Sequence, residues 1–280
     1  MRTFSNRSFY DKISWPNDAR IAVFINSELE PVFRVPPLPN GAPNLLELSQ
    51  RRYDATRGFW RVLDVFSDND IKTTFFTTGR TAEEFPDAVK EIVKRGHELA
   101  AHSYFTEDLP NLKREDEEAA LKKALATLEK VSGVKPTGWL SHRAQPSSNT
   151  AEILAQNGLL WHSDSMDDDL PYILEFGNRK LVEIPRSFLT DDVGVVGRIS
   201  SLPMNPPRYI YEVWKEEFDA LYAEGKKRPA MFTFCLHMFQ AGRPGASAAL
   251  DRLLKYIKKQ AGVWFCTGEA LARYWLGRGF

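Results

Sequence analysis

The sequence predicts an α/β fold in which parallel strands and helices form a single barrel-like domain over residues 1–280. Short β-branched or aromatic runs alternate with longer amphipathic runs, which is the pattern of strand–helix units. No change in composition marks a domain boundary, and 280 residues are enough for one large core. Roughly seven such units in one chain favour a barrel.

The strands are predicted from the short apolar runs and the helices from apolar residues at helical spacing. Helix 81–95 is expected to begin with Thr81 as its N-cap, because Glu84 follows three residues later as in a capping box. Two proline-rich loops, 30–41 and 201–207, are expected to shape a site. The predicted strands are 20–26, 73–77, 99–102, 136–140, 160–163, 181–184, 230–237 and 263–265, and the predicted helices are 55–69, 81–95, 114–132, 149–157, 211–224 and 247–260.

Charge and cysteine usage exclude several partner classes. Lys plus Arg and Asp plus Glu number 37 each, so we expect neither nucleic acid nor an anionic membrane as a partner. The N-terminal residues lack the apolar stretch of a signal peptide, and no apolar run is long enough to span a bilayer. Cys235 and Cys266 are expected to be buried free thiols. These features predict a cytoplasmic protein.

Polar side chains follow several of the predicted strands where the next loop begins. The carboxyl ends of parallel strands meet at the mouth of a barrel, where catalytic groups lie. A carboxylate, imidazoles and a guanidinium at such ends predict an active site rather than scattered surface polarity. The residues are Asn26 and Glu28, His102 and Ser103, His142 and Arg143, Asp164, and His237.

Each candidate has a chemical role and a plainer alternative. Glu28 could be a base or a metal ligand, and otherwise a solvated loop carboxylate. His102 and His237 could be acid–base groups, and otherwise hydrogen-bonded core histidines; His237, which ends an apolar strand, suits the general acid. Arg143 could orient Glu28 or clamp a substrate carbonyl or carboxylate. His97 is expected to be structural, and His142 and His162 stay open.

Several strings then match a known family. The segments 75–79 and 96–103 resemble the second motif of the polysaccharide (NodB-like) deacetylases, and others resemble the allantoinase branch of that superfamily more closely. The resemblance covers residues 15–275. The strings typical of that branch are 138–150 with Gly138, Trp139 and Arg143, 164–172 from Asp164 to Tyr172, and 236–245 with His237 and Gly242-Arg243-Pro244-Gly245.

This resemblance implies a distorted (β/α) barrel and an altered active site. Deacetylases of the superfamily use an Asp base, an Asp-His-His metal triad, an Arg and an acid His. This chain retains His102, Arg143 and His237, but carries Asn26 at the base position, Glu28 at the position of the metal-binding Asp, and Thr106 for the second His. The allantoinase branch is similarly depleted and metal-independent. The resemblance also favours a homo-oligomer such as a tetramer.

The sequence therefore predicts a hydrolase that opens a C–N bond of a small cyclic amide, ureide or imide without a cofactor. Glu28 would activate water and His237 would protonate the leaving nitrogen, while His102 and Arg143 stabilise the oxyanion. Asp164 would orient His237 or Arg143. The residues expected to contact the substrate are Asn26, Ser103, Trp139, Asp167 and Tyr172, although 167–169 could equally be a solvated acidic loop.

Two alternatives remain at this point. The first is a metal-dependent N-deacetylase of an acetylated sugar or peptidoglycan, in which a divalent metal such as zinc binds Glu28, His102 and a loop carboxylate such as Glu107. The missing histidine at Thr106 and the lack of an export signal weigh against it. The second is an inactive barrel that binds a metabolite or a partner, which Asn26 at the base position favours.

Overall fold

The computed structural model describes residues 13–197 and 205–278. One sheet of nine strands has the order β6-β7-β5-β4-β3-β2-β1-β8, with β9 also paired to β1. All pairs are parallel except β6 with β7. The strands are β1 (Ile21–Leu29), β2 (Thr74–Thr77), β3 (Glu98–Ala101), β4 (Gly138–Trp139), β5 (Trp161–His162), β6 (Tyr172–Phe176), β7 (Arg179–Glu183), β8 (Ala230–His237) and β9 (Val263–Cys266).

Helices cover the outside of this curved sheet, as expected for strand–helix units. They are α1 (Leu45–Tyr53), α2 (Phe59–Asp68), α3 (Gly79–Glu84), α4 (Pro86–Lys94), α5 (Arg114–Ser132), α6 (Thr150–Gln156), α7 (Asp192–Val196), α8 (Arg208–Glu224), α9 (Met238–Ala241), α10 (Pro244–Lys258) and α11 (Gly268–Arg278). A π-helical turn, Asp54–Gly58, joins α1 to α2. The predicted α/β barrel is confirmed in the form of a parallel half-barrel.

Strand β1 lies in the middle of the molecule and is buried along its whole length. Its side chains alternate between two layers, as in any strand. Val23 and Ile25 pack under the helices, whereas Ala22 and Phe24 face the barrel interior beside Trp161. Even-numbered residues of β1 therefore point inward.

The half-barrel is closed by a short contact instead of a full strand. Asp191, just before α7, forms a parallel bridge with Cys235 of β8. Because β7 lies on the other side of the sheet, this bridge brings the segment after β7 back against β8. Its two consecutive aspartates thereby reach the end of β8.

Several predicted elements keep their bounds, and others change. β8 and α5 match the predictions at 230–237 and 114–132. The predicted helix 81–95 is split into α3 and α4, because Pro86 begins a new helix. The N-cap is Thr78, whose side chain accepts a hydrogen bond from the Thr81 N–H, and not Thr81 as predicted.

Five helices and strands were absent from the sequence predictions: α1, α7, α9, α11 and β6. Strand β6 pairs with β7 at the sheet edge and follows residues 167–169, which were predicted as a solvated acidic loop or a pocket lining. Residues 201–204 of the predicted loop 201–207 lie outside the described residues. None of the described helices is long and apolar enough to cross a membrane.

Candidate active site

Two carboxylates stand next to each other on the inner face at the carboxyl end of β1. Glu28 and Glu30 are two residues apart and share this face with Asn26. Glu28 is 5% exposed and Glu30 4% exposed, so each needs a charged or hydrogen-bonding partner. The intervening Leu29 points the other way, into the helix layer.

Glu28 contacts an imidazole, a guanidinium and a thiol. The β1–β8 register pairs Glu28 with His237, and His237 Nε2 lies 3.2 Å from Glu28 Oε2. Arg186, which follows β7, places a guanidinium nitrogen 3.4 Å from Glu28 Oε1. The Cys235 thiol donates to the same oxygen at 3.1 Å. Burial raises the pKa of Cys235, so it serves as a hydrogen-bond donor and not as a thiolate nucleophile.

The barrel-closing segment holds the far side of His237. Asp192 accepts from His237 Nδ1 at 2.8 Å and from the His237 backbone N–H at 2.9 Å. Asp191 accepts from Arg186 at 2.9 Å. His237 thus lies between two carboxylates, with Nε2 toward Glu28 and Nδ1 toward Asp192.

Glu30 forms a second carboxylate–imidazole contact. His102 Nε2 lies 2.8 Å from Glu30 Oε1, and His142 Nδ1 lies 3.6 Å from the same oxygen. An Arg51 nitrogen stands 3.6 Å from Glu30 Oε2. His102 Nδ1 is 2.7 Å from the Leu140 carbonyl oxygen, so it carries a proton and leaves Nε2 facing the carboxylates.

The two contacts form one cluster. His102 Nε2 is 4.0 Å from Glu28 Oε2, so the imidazole of one pair reaches the carboxylate of the other. Asp54, in the π-helical turn, accepts from the Glu30 backbone N–H at 3.2 Å. Such π-helical turns often occur at functional sites, and this one places a third buried carboxyl group behind Glu30.

The charges of the cluster are set by opposing effects. Burial would raise the pKa of Glu28 and of Glu30, but the neighbouring imidazoles and arginines outweigh it and hold the pKa of both carboxyl groups below the usual range. Burial would lower the pKa of His102 and of His237, but the adjacent carboxylates raise both. At neutral pH each pair is therefore a carboxylate beside an imidazolium.

The pKa values of two aspartates behind these pairs, Asp192 and Asp54, are raised instead of lowered. Burial raises the pKa of Asp192 to about 6 although the adjacent His237 lowers it. Burial also raises the pKa of Asp54 to about 8, with a smaller lowering effect of Arg51. Asp54 is thus largely a neutral acid near pH 7.

A cavity of about 370 Å³ borders this cluster at His142. His142 and Thr106 line its floor, and the loop from Arg34 to Pro37 forms part of its rim. Ser103 and Arg143 have φ of 63° and 59°, a left-handed conformation that is uncommon outside glycine and is often found at functional sites. Both directly follow a histidine of the cluster.

The structure brings three of the predicted catalytic residues together and places the other two, Arg143 and Asp164, outside this cluster. Glu28, His102 and His237 share the cluster. Arg143 does not orient Glu28; Arg186 does, and Arg143 is exposed on the cavity wall. Asp164 contacts neither His237 nor Arg143, because it accepts hydrogen bonds from the Ser141 backbone N–H at 2.7 Å and hydroxyl at 2.8 Å.

The predicted substrate contacts also need correction. Trp139 faces the helix layer and is part of the outer core, because Leu140 takes the inward position. Tyr172 lies on the edge strand β6 and donates to Asp167 at 2.8 Å, and neither lines the cavity. Asn26 and Ser103 are fully buried behind the cavity, and their side chains have no hydrogen-bond partner among the described residues.

Sequence reasoning missed the residues that surround the two pairs. They come from a loop, a helix turn and the barrel-closing segment, none of which ends a predicted strand. The local signals were the acidic pair Asp191-Asp192 shortly after Arg186 and the proline-rich loop 30–41, which begins at Glu30. The residues are Glu30, Arg51, Asp54, Arg186, Asp191 and Asp192.

Three sets of donors among the described residues of the cluster are close enough to hold a metal, and one of them includes His142, which lines the cavity. Glu30, His102 and His142 offer ligand atoms that all lie within 4.8 Å of one another. Their facing atoms, Oε1, Nε2 and Nδ1, are buried without a well-aligned hydrogen bond to any described residue. One carboxylate and two imidazoles are donors that zinc accepts, so these residues fit a metal. The set differs from the expected Glu28, His102 and Glu107, because Glu107 accepts from the Phe105 N–H at 2.9 Å and belongs to no group of close donors among the described residues.

Carboxylates and imidazoles clustered at the mouth of a barrel are the groups of a hydrolase, and the comparisons name the family. The polysaccharide deacetylase family model matches residues 53–161. A putative polysaccharide deacetylase of Schizosaccharomyces pombe is 30% identical over 243 residues, covering 80% of this chain and 74% of that protein. The chain belongs to the polysaccharide deacetylase family.

Other relatives carry different activities in their names. The peptidoglycan deacetylase of Helicobacter pylori is 26% identical over 260 residues, covering 83% of this chain and 88% of that protein. Among solved structures, Puue allantoinase superposes with a TM-score of 0.86 at 28% identity and covers 99% of this chain and 98% of its own. A probable polysaccharide deacetylase of Pseudomonas aeruginosa PAO1 gives the same TM-score of 0.86 at 28% identity, covering 93% and 92%.

Proposed function

We propose that this protein hydrolyses a C–N bond in a cyclic amide, imide or ureide with the acid and base groups of its own chain. The observation that carries the proposal is the pair of buried carboxylate–imidazole contacts at the carboxyl end of β1, Glu28 with His237 and Glu30 with His102. Such a pair supplies a proton acceptor and a proton donor within a few ångströms, as amide hydrolysis requires. The likeness to an allantoinase over nearly the whole chain supports a ring amide as substrate.

The Glu28–His237 pair would move the protons. Glu28 takes a proton from the attacking water as the C–O bond forms, and His237 gives its Nε2 proton to the ring nitrogen as the C–N bond breaks. The 3.2 Å contact then lets the proton on Glu28 pass to His237, which restores both groups. Because nearby cations hold the pKa of Glu28 low, its action as a base depends on this transfer.

His102 would stabilise the charge that develops on the carbonyl oxygen. Its raised pKa keeps a proton on both ring nitrogens, and the Leu140 carbonyl fixes the ring through Nδ1. A fixed donor at a developing oxyanion contributes about 3–4 kcal/mol to the lowering of the barrier. Asp192 would act as a positioning residue, since it holds His237 through both Nδ1 and the backbone.

The buried negative charges of the cluster are paired with positive charges from the same chain. The carboxylates of Glu28, Glu30, Asp191 and Asp192 face Arg51, Arg186, His102 and His237. A metal ion would have to displace the proton of His102, because a metal ligand must be a neutral imidazole. This matching supports a metal-independent reaction.

The second candidate is a metal-dependent N-deacetylase of an acetylated sugar or peptidoglycan. The donor set of Glu30, His102 and His142 and the names of the relatives favour it. A metal at that set would supply Lewis acidity for a carbonyl oxygen and a bound water.

A substrate panel separates these candidates. Allantoin, hydantoin, a succinimide-type imide and an N-acetylglucosamine oligomer are incubated with EDTA-treated protein and with added Zn²⁺. We expect ring opening that survives chelation, its loss in Glu28→Gln, and its retention in Glu175→Gln, which removes an exposed carboxylate on β6. Acetate release that requires metal would establish the deacetylase instead. Absence of turnover on every compound in both conditions would indicate an inactive barrel.

A further inference from the structure

We infer that the cavity at the mouth recognises a negatively charged group, so that the ring substrate carries a carboxylate. This inference rests on the proposed function, because it names the substrate class of the same site. It follows from the exposure and the ion pairing of two arginines, Arg34 and Arg143, which both line the cavity.

The two arginines of the cavity differ from the two arginines of the buried cluster. Arg51 and Arg186 are buried in ion pairs with Glu30 and Glu28. Arg34 and Arg143 are exposed to the cavity, and neither lies within ion-pair distance of a carboxylate of any described residue. Two guanidinium groups with free donors in one cavity are suited to a carboxylate, which they bind with charge-assisted hydrogen bonds.

Neighbouring residues fix the backbone conformation of Arg143. The short 3₁₀ turn His142–Ala144 begins directly after Ser141. Asp164 accepts hydrogen bonds from the Ser141 backbone N–H at 2.7 Å and from the Ser141 hydroxyl at 2.8 Å, which fixes the start of the turn. Arg143 occupies the left-handed region with φ of 59° inside this turn. A residue kept in such a conformation by its surroundings is typical of a ligand-contacting position.

The same cavity also contains acceptors that suit the rest of a ring amide. Glu107 accepts from the Phe105 N–H at 2.9 Å, and Asp108 accepts from Asn111 at 2.9 Å. Both carboxylates keep lone pairs free for further donors. The cavity therefore offers donors for a carboxylate and acceptors for amide N–H groups of the same ligand.

Two matched compounds test the inference. Hydantoin-5-acetic acid and hydantoin-5-acetamide have the same ring and nearly the same shape, but only the first is charged. We expect kcat/KM to be about tenfold higher for the acid at low salt and the advantage to shrink as ionic strength rises. Arg34→Gln and Arg143→Gln should each reduce the acid-to-amide ratio about tenfold, mainly through KM for the acid.

The control is Arg179→Gln, which removes the same charge at the start of β7, the end of the barrel opposite the mouth. It should leave the ratio unchanged. Binding of both compounds is also measured by calorimetry, so that recognition is judged without turnover. Equal binding and turnover of acid and amide, or a ratio that neither cavity variant changes, would overturn the inference while ring opening itself supports the proposed function. Failure to open either ring, with tighter binding of the acid, would instead reject the proposed function and keep the anion site.

Discussion

Two buried histidine–carboxylate clusters lie close together at the carboxyl ends of the strands, and they face opposite sides of the sheet. The first joins Glu28 to His237 and includes Glu30 with its neighbour His142, and His142 lines the cavity. In the second, His162 stands 2.9 Å from Glu183 and 3.3 Å from Asp164.

The faces differ because alternate residues of a strand point to opposite sides. Trp161 and Val182 fill the barrel interior, so their neighbours His162 and Glu183 point toward the helix layer, and none of the second cluster lines the cavity. Burial lowers the pKa of His162, but the carboxylates of Glu183 and Asp164 outweigh this effect and raise the pKa of His162 to about 10. The comparison teaches that a shifted pKa alone does not mark a catalytic group, because both clusters contain groups with shifted pKa values but only the first includes a residue, His142, that lines the cavity.

The largest expected difference between the clusters is in catalysis. His237→Gln should lower kcat for ring opening about 10³-fold, because it removes the proposed general acid. His162→Gln, the same substitution in the second cluster, should change kcat less than about threefold. Steady-state kinetics of both folded variants on the same ring substrate check this. A comparable loss in both would assign catalysis to neither cluster in particular.

The next effect concerns how Asp192 positions His237. Asp192→Asn should lower kcat about tenfold and move the alkaline limb of the pH–rate profile to lower pH. The reason is that Asp192 raises the pKa of His237, which must be protonated to act as the acid. A merely structural role would lower kcat at all pH values without moving the limb. The equivalent change Asp164→Asn in the second cluster is the control and should leave the limb in place.

Disruption of the second cluster should lower the free energy of unfolding instead of the rate of catalysis. His162→Gln leaves Glu183 and Asp164 buried without a cation, so we expect a loss of about 3 kcal/mol at pH 7. The folded-state pKa of His162 is raised, so its stabilisation is complete below the unfolded value near 6.5 and is lost as pH rises through about 10. The Tm difference between wild type and variant should therefore shrink between pH 7 and pH 10.5. A constant difference would contradict the ion-pair account.

The smallest expected effect lies at Asp54. Its pKa is raised from 3.8 to about 8, so the stability it provides is complete below about pH 4 and is lost as pH rises through about 8. Between pH 6 and pH 9 the Tm of the wild type should fall by a few degrees more than the Tm of Asp54→Asn. Thermal unfolding of both proteins across this range measures it. A parallel pH dependence of the two would show that Asp54 is already ionised at pH 6.

Much of the fold follows from local pattern. The apolar run of β8 and the 19-residue amphipathic helix α5 have the predicted bounds, since each buries a continuous face that its period reveals. Pro86 and the cap at Thr78 changed the predicted helix after β2, and the edge strand β6 carries too weak a pattern to be recognised. Strand ends bearing Glu28, His102 and His237 were visible in the sequence and do meet.

The sequence by itself determined the parallel α/β architecture, the family and the strand-end polar groups. Only the tertiary structure decided which of these groups work together. Arg186 and Asp192 reach Glu28 and His237 because the segment after β7 returns to β8 through the Asp191–Cys235 bridge. Asp164 and Trp139 face away because the phase of two short strands points them to the helix layer. Both outcomes depend on contacts between residues distant in sequence and on a strand phase that a two-residue element cannot reveal.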